Sequence, residues 1–312
     1  MQTILGSGGV IANGIAKQLL QYTNKIRLVS RHPKKVSTTD ELVVADLTIQ
    51  GQVFDAVRDS DIVYLTAGLA YKLDVWERDW PLVMQNVVNA CEEHNASLVF
   101  FDNVYAYGKV DGWMREDTPY NPCSRKGEIR ARIADKLMNE VKRGNIKALI
   151  ARASDFYGPY AYNTFILPMV FDRLKQHKTA SWLVNDKVKH SFTFTPDAAK
   201  STALLGNTAD AYNQVWHLPT DRNALNGQQF VETIAEYFSA PARYSILSKW
   251  MVKMAGIFNP MAKESYEMLY QYDIDFLLDS AKFENKFISP TTYKEGIRIT
   301  VETMLASEAI PQ

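Results

Sequence analysis

The chain has 312 residues, 46% apolar and 22% charged, enough material for one large α/β domain or a nucleotide-binding domain with a smaller companion. Lys plus Arg and Asp plus Glu both number 35, so no global charge draws the chain to nucleic acid or to an anionic membrane. Two cysteines, Cys91 and Cys123, and five scattered histidines support neither a disulfide framework nor a zinc site, and no metal is expected.

Met1 is followed only by Gln2 before a strand-like run, so no targeting peptide is expected. The longest apolar runs, such as residues 165–171, are far too short to span a bilayer. Cytoplasmic residence without membrane association is the expectation.

In chain order, residues 3–5 form a short apolar strand that runs into a glycine cluster. Residues 11–22 follow as a helix with Ile11, Ile15, Leu19 and Leu20 on one stripe. Strands are expected over residues 25–30, 42–45 and 61–67, a helix over 81–94, and a buried strand over 96–102. Ile129, Ile133, Leu137 and Val141 mark a helix over 129–143, and 146–152 is the next strand. Strands alternating with helices every 20–30 residues imply βαβ units, hence a Rossmann-like doubly wound α/β fold with a parallel sheet. Beyond Arg152 the alternation fades, and the elements at 164–176, 196–205, 228–238 and 260–270 are irregularly spaced. The division expected is a dinucleotide-binding domain over 1–160, completed by segments around 180–220, and a smaller α/β substrate lobe over most of 161–312.

Gly6-Ser-Gly-Gly-Val-Ile-Ala12 opens a helix directly after the first strand. Gly6 permits the tight turn, Gly9 lets backbone approach a pyrophosphate, and Ala12 lets helix and strand pack closely; Val10 and Ile11 supply first-turn amides. The cofactor expected is therefore a dinucleotide, taken as a nicotinamide one. A site preferring NAD(H) usually ends its second strand with a carboxylate for the ribose 2′-hydroxyl. Here that position, 24 residues after Gly6, is Ser30, followed by Arg31, His32, Lys34 and Lys35. A hydroxyl and a guanidinium accept a 2′-phosphate that a carboxylate would repel, so NADP(H) is expected over NAD(H).

Several segments together resemble the extended short-chain dehydrogenase/reductase family, the NAD(P)-dependent epimerase/dehydratase group. They are GSGGVIA (6–12), ADL (45–47), TAG (66–68), VYAYG (104–108), RASDFYGP (152–159) and HSFTFTPDAA (190–199). The resemblance covers about residues 1–220. It implies that Asp46 and Leu47 flank the adenine, that Ala67 and Gly68 lie along the cofactor, and that the Tyr157-Gly-Pro159 loop borders nicotinamide and substrate. It also implies a possible homodimer through helices flanking the sheet.

The departures concern the chemistry. The family places Ser or Thr four residues before the Tyr-Gly matched by Tyr107-Gly108, and this chain has Asn103. The family's Tyr-x-x-x-Lys follows about 25 residues on, where this chain reads CSRKGEIRAR (123–132), with no tyrosine. Tyr105 and Lys109 keep that spacing by accident, in a turn rather than on a helix, although Tyr105 can still reach a substrate from there. Asn103 can polarise a carbonyl oxygen, Lys126 can serve as an acid, and Arg130 can stabilise developing charge. Lys126 and Arg130 also read as solvated charges on a first helical turn, and Asp102 as a turn former at a strand end.

Nucleotide-sugar members of the family hold a diphosphate with an Asn and an Arg at the positions matched here by Asp155 and His190. A carboxylate repels a diphosphate, and a neutral imidazole is a weak clamp, so the substrate expected is a small, non-nucleotide carbonyl or hydroxyl compound. Trp250, Met251, Met254, Phe258, Met261, Tyr266, Met268, Tyr270 and Tyr272 either line an apolar pocket for it or form core. An NADP(H)-dependent oxidoreductase or isomerase is one reading. A catalytically inactive redox sensor or partner-binding module is the other.

Overall fold

A computed structural model describes residues 1–307. The chain begins β1 (Gln2–Leu5), α1 (Val10–Leu19), β2 (Ile26–Ser30), β3 (Glu41–Val44), α2 (Gln50–Val57), β4 (Ile62–Leu65), α3 (Leu73–Glu93) and β5 (Ser97–Asn103). It continues with β6 (Trp113–Met114), α4 (Arg125–Lys142), β7 (Ala148–Ala153), β8 (Asp155–Tyr157), α5 (Asp172–Lys175), β9 (Ala180–Leu183) and β10 (Phe192–Phe194). Then come α6 (Thr195–Gly206), β11 (Val215–His217), α7 (Gly227–Tyr237), β12 (Tyr244–Leu247), α8 (Lys249–Ala255) and α9 (Pro260–Ser265). The last described elements are β13 (Leu277–Leu278), α10 (Ala281–Glu284) and α11 (Tyr293–Ala306).

One compact unit comprises Met1–Gly108, Tyr120–Ala153 and Ala198–Leu218. Its seven strands lie in the order β11-β7-β5-β4-β1-β2-β3, all parallel. Parallel strands need crossovers and are covered on both faces, which is why β4, β5 and β7 read as mainly apolar runs. Leu5, Val29, Leu65, Phe100 and Ile150 of the sheet share a core with Trp80, Met84 and Val87 of α3 and Ile129, Ile133 and Leu137 of α4. The helix expected from Pro81 begins at Leu73 instead, with Pro81 inside it. Proline favours a first turn, but burial of Trp76 and Trp80 carries the helix two turns further back.

The second unit comprises Lys109–Pro119, Ser154–Asp197 and the chain from Pro219 onward. It holds three two-stranded parallel sheets, β10-β8, β12-β9 and β13-β6. Its core joins Tyr157, Phe171, Trp182 and Phe192 to Phe230 and Ile234 of α7 and Tyr293 and Ile297 of α11. Compared with the division at residue 160, the first unit ends at Ala153, cedes 109–119, and regains the chain at Ala198. The last five residues of the expected lobe lie outside the described residues. Among the described residues no helix is long and apolar enough to cross a membrane.

Candidate functional site

The chain runs from β1 outward through β2 and β3, then returns to β4 on the other side of β1. That reversal opens a crevice at the strands' carboxyl ends, the place where open α/β sheets bind ligands. Gly6 and Ser7 amides donate to the Val29 carbonyl at 2.9 and 3.0 Å, and the Thr66 amide donates to the Leu5 carbonyl at 2.9 Å. The ends of β1, β2 and β4 are thereby drawn together, with Gly6, Ser30 and Ala67 next in line.

Gly6 sits at φ +92°, and a Cβ there would lie 2.3 Å from Ala67 Cα. Only glycine fits. Gly9 is different: it begins α1 with an extended backbone, no side chain caps the helix, and a Cβ added there meets nothing within 4 Å. The first-turn amides of α1 therefore face open space with the positive end of the helix dipole behind them. Ser7 Oγ, in the same loop, is buried without a hydrogen-bond partner. An orphaned hydroxyl, uncapped amides and open space over glycine all fit a bound pyrophosphate. Sequence reasoning passed over Ser7, and also Gly14, where a Cβ would stand 2.6 Å from Ala199 Cβ.

Around the loop, Ser30 is half-buried and Arg31 and His32 are exposed. Asp46 Oδ1 accepts from the Thr48 amide at 2.9 Å and hydroxyl at 2.7 Å. Those bonds, joined by the attraction of Arg31, hold the Asp46 carboxyl below the usual range against the opposing effect of burial. Leu47 is buried and its carbonyl accepts from Asn86 Nδ2 at 3.0 Å, while Val10 is half-buried and Ile11 buried under α1. Ala67 lies half-buried beneath Gly6, and Gly68 is exposed.

At the end of β5, Asn103 Oδ1 accepts from the Tyr105 amide at 3.1 Å and starts a 3₁₀ turn over Val104–Tyr107. Its Nδ2 has no partner among the described residues and remains a donor. The turn confirms that Tyr105 and Lys109 share no helix. Tyr105 is half-buried and stacks on Trp76, with ring centroids 6.4 Å apart.

Asp102 is not a turn former. Its carboxylate is fully buried between two guanidinium groups. Oδ1 accepts from Arg130 Nε at 2.8 Å and also from its Nη2; Oδ2 accepts from Arg152 Nη2 at 2.8 Å and Nε at 3.1 Å. Arg152 Nη2 also donates to Tyr120 Oη at 2.8 Å. Burial would raise the Asp102 carboxyl, but Arg130 and then Arg152 outweigh it and hold it below the usual range. Arg130 also lies over the Trp80 ring at 4.5 Å and the Phe100 ring at 5.0 Å.

The expectation that Arg130 meets a substrate's developing charge therefore gives way: its guanidinium is committed to Asp102 and enclosed by aromatic rings. Lys126 is not a solvated charge either. It is buried in the first turn of α4, with Nζ 4.8 Å from the Tyr71 ring centroid. Gly127 beside it lets α4 close on the Tyr105 carbonyl, where a Cβ would lie 2.6 Å away. Lys126 and Arg130 keep the four-residue interval of the family's tyrosine and lysine. Arg152 was missed in sequence, although an arginine inside the apolar run ALIARA can be buried only with a partner.

In the second unit, Asp155 Oδ2 accepts from Tyr272 Oη at 3.0 Å and lies 3.1 Å from His190 Nε2. Its Oδ1 has no partner among the described residues. His190 is fully enclosed, stacked on Tyr272 at 4.6 Å and near-parallel to Phe276 at 5.2 Å. Tyr157 is equally enclosed, with its ring on Tyr293 at 5.6 Å and its hydroxyl against Gly296. Burial pushes the Tyr157 phenol well above its ordinary value. The expectation that His190 and Tyr157 touch substrate is corrected: both side chains are core, His190 Nδ1 being buried without a partner, whereas Asp155 is half-buried and keeps Oδ1 free. Among the described residues no group of three His, Cys, Asp or Glu is arranged to hold a metal.

Known proteins are similar to this chain in sequence or in fold. A dTDP-glucose 4,6-dehydratase of Mycolicibacterium smegmatis is 33% identical over 138 residues, 41% of this chain and 41% of that protein. The matched segment thus spans about two fifths of that relative's length. The UDP-glucose 4-epimerase of Thermus thermophilus, solved in complex with NAD, superposes with a TM-score of 0.79 at 16% identity, covering 98% of this chain and 100% of that one. A double mutant of the dTDP-glucose 4,6-dehydratase of Streptomyces venezuelae, also with NAD bound, gives 0.79 at 15% identity over 99% and 98% of the two chains. The family model described as NAD dependent epimerase/dehydratase matches residues 3–216, and with the glycine loop and the seven-stranded sheet in place, the chain belongs to that family.

Proposed function

We propose that the protein binds NADP(H) over the Gly6–Gly9 loop and carries out redox-dependent chemistry on a nucleotide-activated sugar. The observation that carries this reading is the loop itself, with its uncapped helix, open space over Gly9 and orphaned Ser7 hydroxyl. The substrate class differs from the small, non-nucleotide compound expected from sequence. The similar proteins are named for dTDP-glucose and UDP-glucose, and the engagement of Asp155 with His190 and Tyr272 weakens the case against such substrates. The preference for NADP(H) rests on Ser30 and exposed Arg31 where a carboxylate would select NAD(H).

When bound, the nicotinamide supplies or accepts a hydride at a sugar carbon. Asn103 Nδ2 donates a hydrogen bond to the oxygen on that carbon and polarises it. Lys126 takes the place of the missing tyrosine, giving a proton to the oxygen on reduction and removing one on oxidation. Arg130, tied to Asp102, fixes the helix that presents Lys126.

The test is incubation of the protein and its Lys126→Met variant with NADP⁺ or NADPH and a panel of UDP- and dTDP-hexoses, with products read by mass spectrometry. Turnover is expected from the wild type, and roughly 10²–10⁴-fold less from Lys126→Met at unchanged cofactor affinity. Equal turnover by the two proteins would remove Lys126 from the mechanism. The absence of any family tyrosine, with the lysine's interval occupied by an inward-turned Arg130, favours a second reading: a dinucleotide-binding module without turnover. Cofactor binding with no product from any sugar supports that alternative.

A further inference from the structure

We infer that the α8–α9 hairpin is a peripheral docking surface for an anionic lipid bilayer. The aromatic and methionine residues of this lobe split into two sets. Met268, Tyr270 and Tyr272 are core, whereas Trp250 is 70% exposed, Phe258 89%, Ile257 64% and Met261 59%; Met251 and Met254 are exposed as well. Six large apolar side chains thus stand in water on two short helices and the turn between them.

The segment is not exposed for want of structure. Ser248 Oγ caps α8 by accepting from the Met251 amide at 3.3 Å, and Asn259 Oδ1 caps α9 by accepting from Met261 and Ala262 amides at 2.9 and 3.3 Å. At Gly256 a Cβ would lie 3.1 Å from Lys263 Cα, so the two arms close tightly on each other. Val252 is the one buried residue of α8 and ties it down. A well-ordered hairpin that turns Trp, Phe, Ile and three Met outward marks an interaction surface.

Charge selects the occupant. The whole chain is neutral, whereas the hairpin from Lys249 to Ser265 carries Lys249, Lys253 and Lys263 against a single carboxylate, the half-buried Glu264. Lys249 is paired with Asp273 at 2.5 Å, while Arg243, Lys253 and Lys263 are exposed. Apolar side chains led by Trp and Phe, with cations on flexible stems beside them, match the boundary between acyl chains and anionic headgroups. Phe258 and Ile257 at the turn enter furthest, and the lysines keep their ammonium groups at the headgroups. The sequence expectation of no membrane rested on zero net charge and the lack of a span, and neither bears on a local surface of this kind.

Flotation of the whole protein with phosphatidylcholine vesicles, and with vesicles also containing phosphatidylglycerol, tests the assignment. The protein is expected to float with the anionic vesicles, less so at high salt, and brominated acyl chains are expected to quench tryptophan emission. A Trp250→Ser, Ile257→Ser, Phe258→Ser triple variant should partition about a hundredfold or more weakly, and Lys253→Glu with Lys263→Glu about tenfold more weakly. These positions are exposed, so unchanged thermal unfolding and NADPH binding confirm that each variant is folded. Failure of the wild type to float, or flotation of the triple variant equal to wild type, would overturn the proposal. Self-association in sedimentation that disappears in the triple variant, without vesicle binding, would assign the surface to a second copy and also overturn it.

Discussion

Asp102→Ala is expected to lower the free energy of unfolding by about 3–5 kcal/mol, because it strands two buried guanidinium groups without their counterion. Arg130 and Arg152 divide the two carboxylate oxygens between them, and neither guanidinium is exposed to water. The urea midpoint reports the loss. A triple replacement, Asp102→Leu with Arg130→Met and Arg152→Met, removes all three charges together and should recover most of it, since desolvation opposes the network as strongly as attraction supports it. An Asp102→Ala midpoint close to wild type would show that the ion cluster contributes little.

The same carboxylate sets an acid limit. The folded Asp102 value is depressed, so the network's contribution is fully present above the unfolded carboxyl value of about 3.9 and is lost as pH falls through the folded value. Wild-type stability should fall below about pH 4 with a component that is absent from the triple replacement.

Gly9→Val is expected to reduce dinucleotide affinity at least about a hundredfold while changing stability by less than about 1 kcal/mol. Gly9 has φ −81° and ψ 165°, which a valine adopts freely, and a side chain there meets no protein atom within 4 Å. What it fills is the space over the first-turn amides of α1. Gly6→Ala supplies the contrast. At φ +92°, with Ala67 backbone 2.3 Å from the new Cβ, it should fail by destabilising the fold. Thermal unfolding together with NADPH titration separates the two modes of failure. Gly9→Val binding as tightly as wild type would place the pyrophosphate elsewhere.

The first unit was legible because its signals are local. An apolar run, a Gly6-x-x-Gly9-x-x-Ala12 turn and the Ile129–Ile133–Leu137 stripe each declare an element within a dozen residues. The start of α3 was hidden because Pro81 is a strong local marker, while burial of Trp76 and Trp80 is a tertiary fact. The Asp102–Arg130–Arg152 cluster was missed for the same reason: its members are 28 and 50 residues apart and meet only when β5, β7 and α4 pack. His190 and Tyr157 misled because they match substrate-contacting positions of the family resemblance, whereas in this chain Phe192, Phe276 and Tyr293 close over them. Residues 249–265 gave composition without direction. A stretch rich in Met and aromatics looks the same whether it faces a core or water.

The central claim is that backbone amides at the β1–α1 junction cradle a pyrophosphate and that Arg31 grips a ribose phosphate. Calorimetric titration of wild type and Arg31→Ala with NADPH and NADH tests both halves. Saturable wild-type binding that favours NADPH, with about tenfold or greater loss of NADPH affinity and little change for NADH in Arg31→Ala, is the predicted result. No heat and no thermal shift with either dinucleotide would contradict the account, and a wild-type preference for NADH would contradict the role given to Arg31.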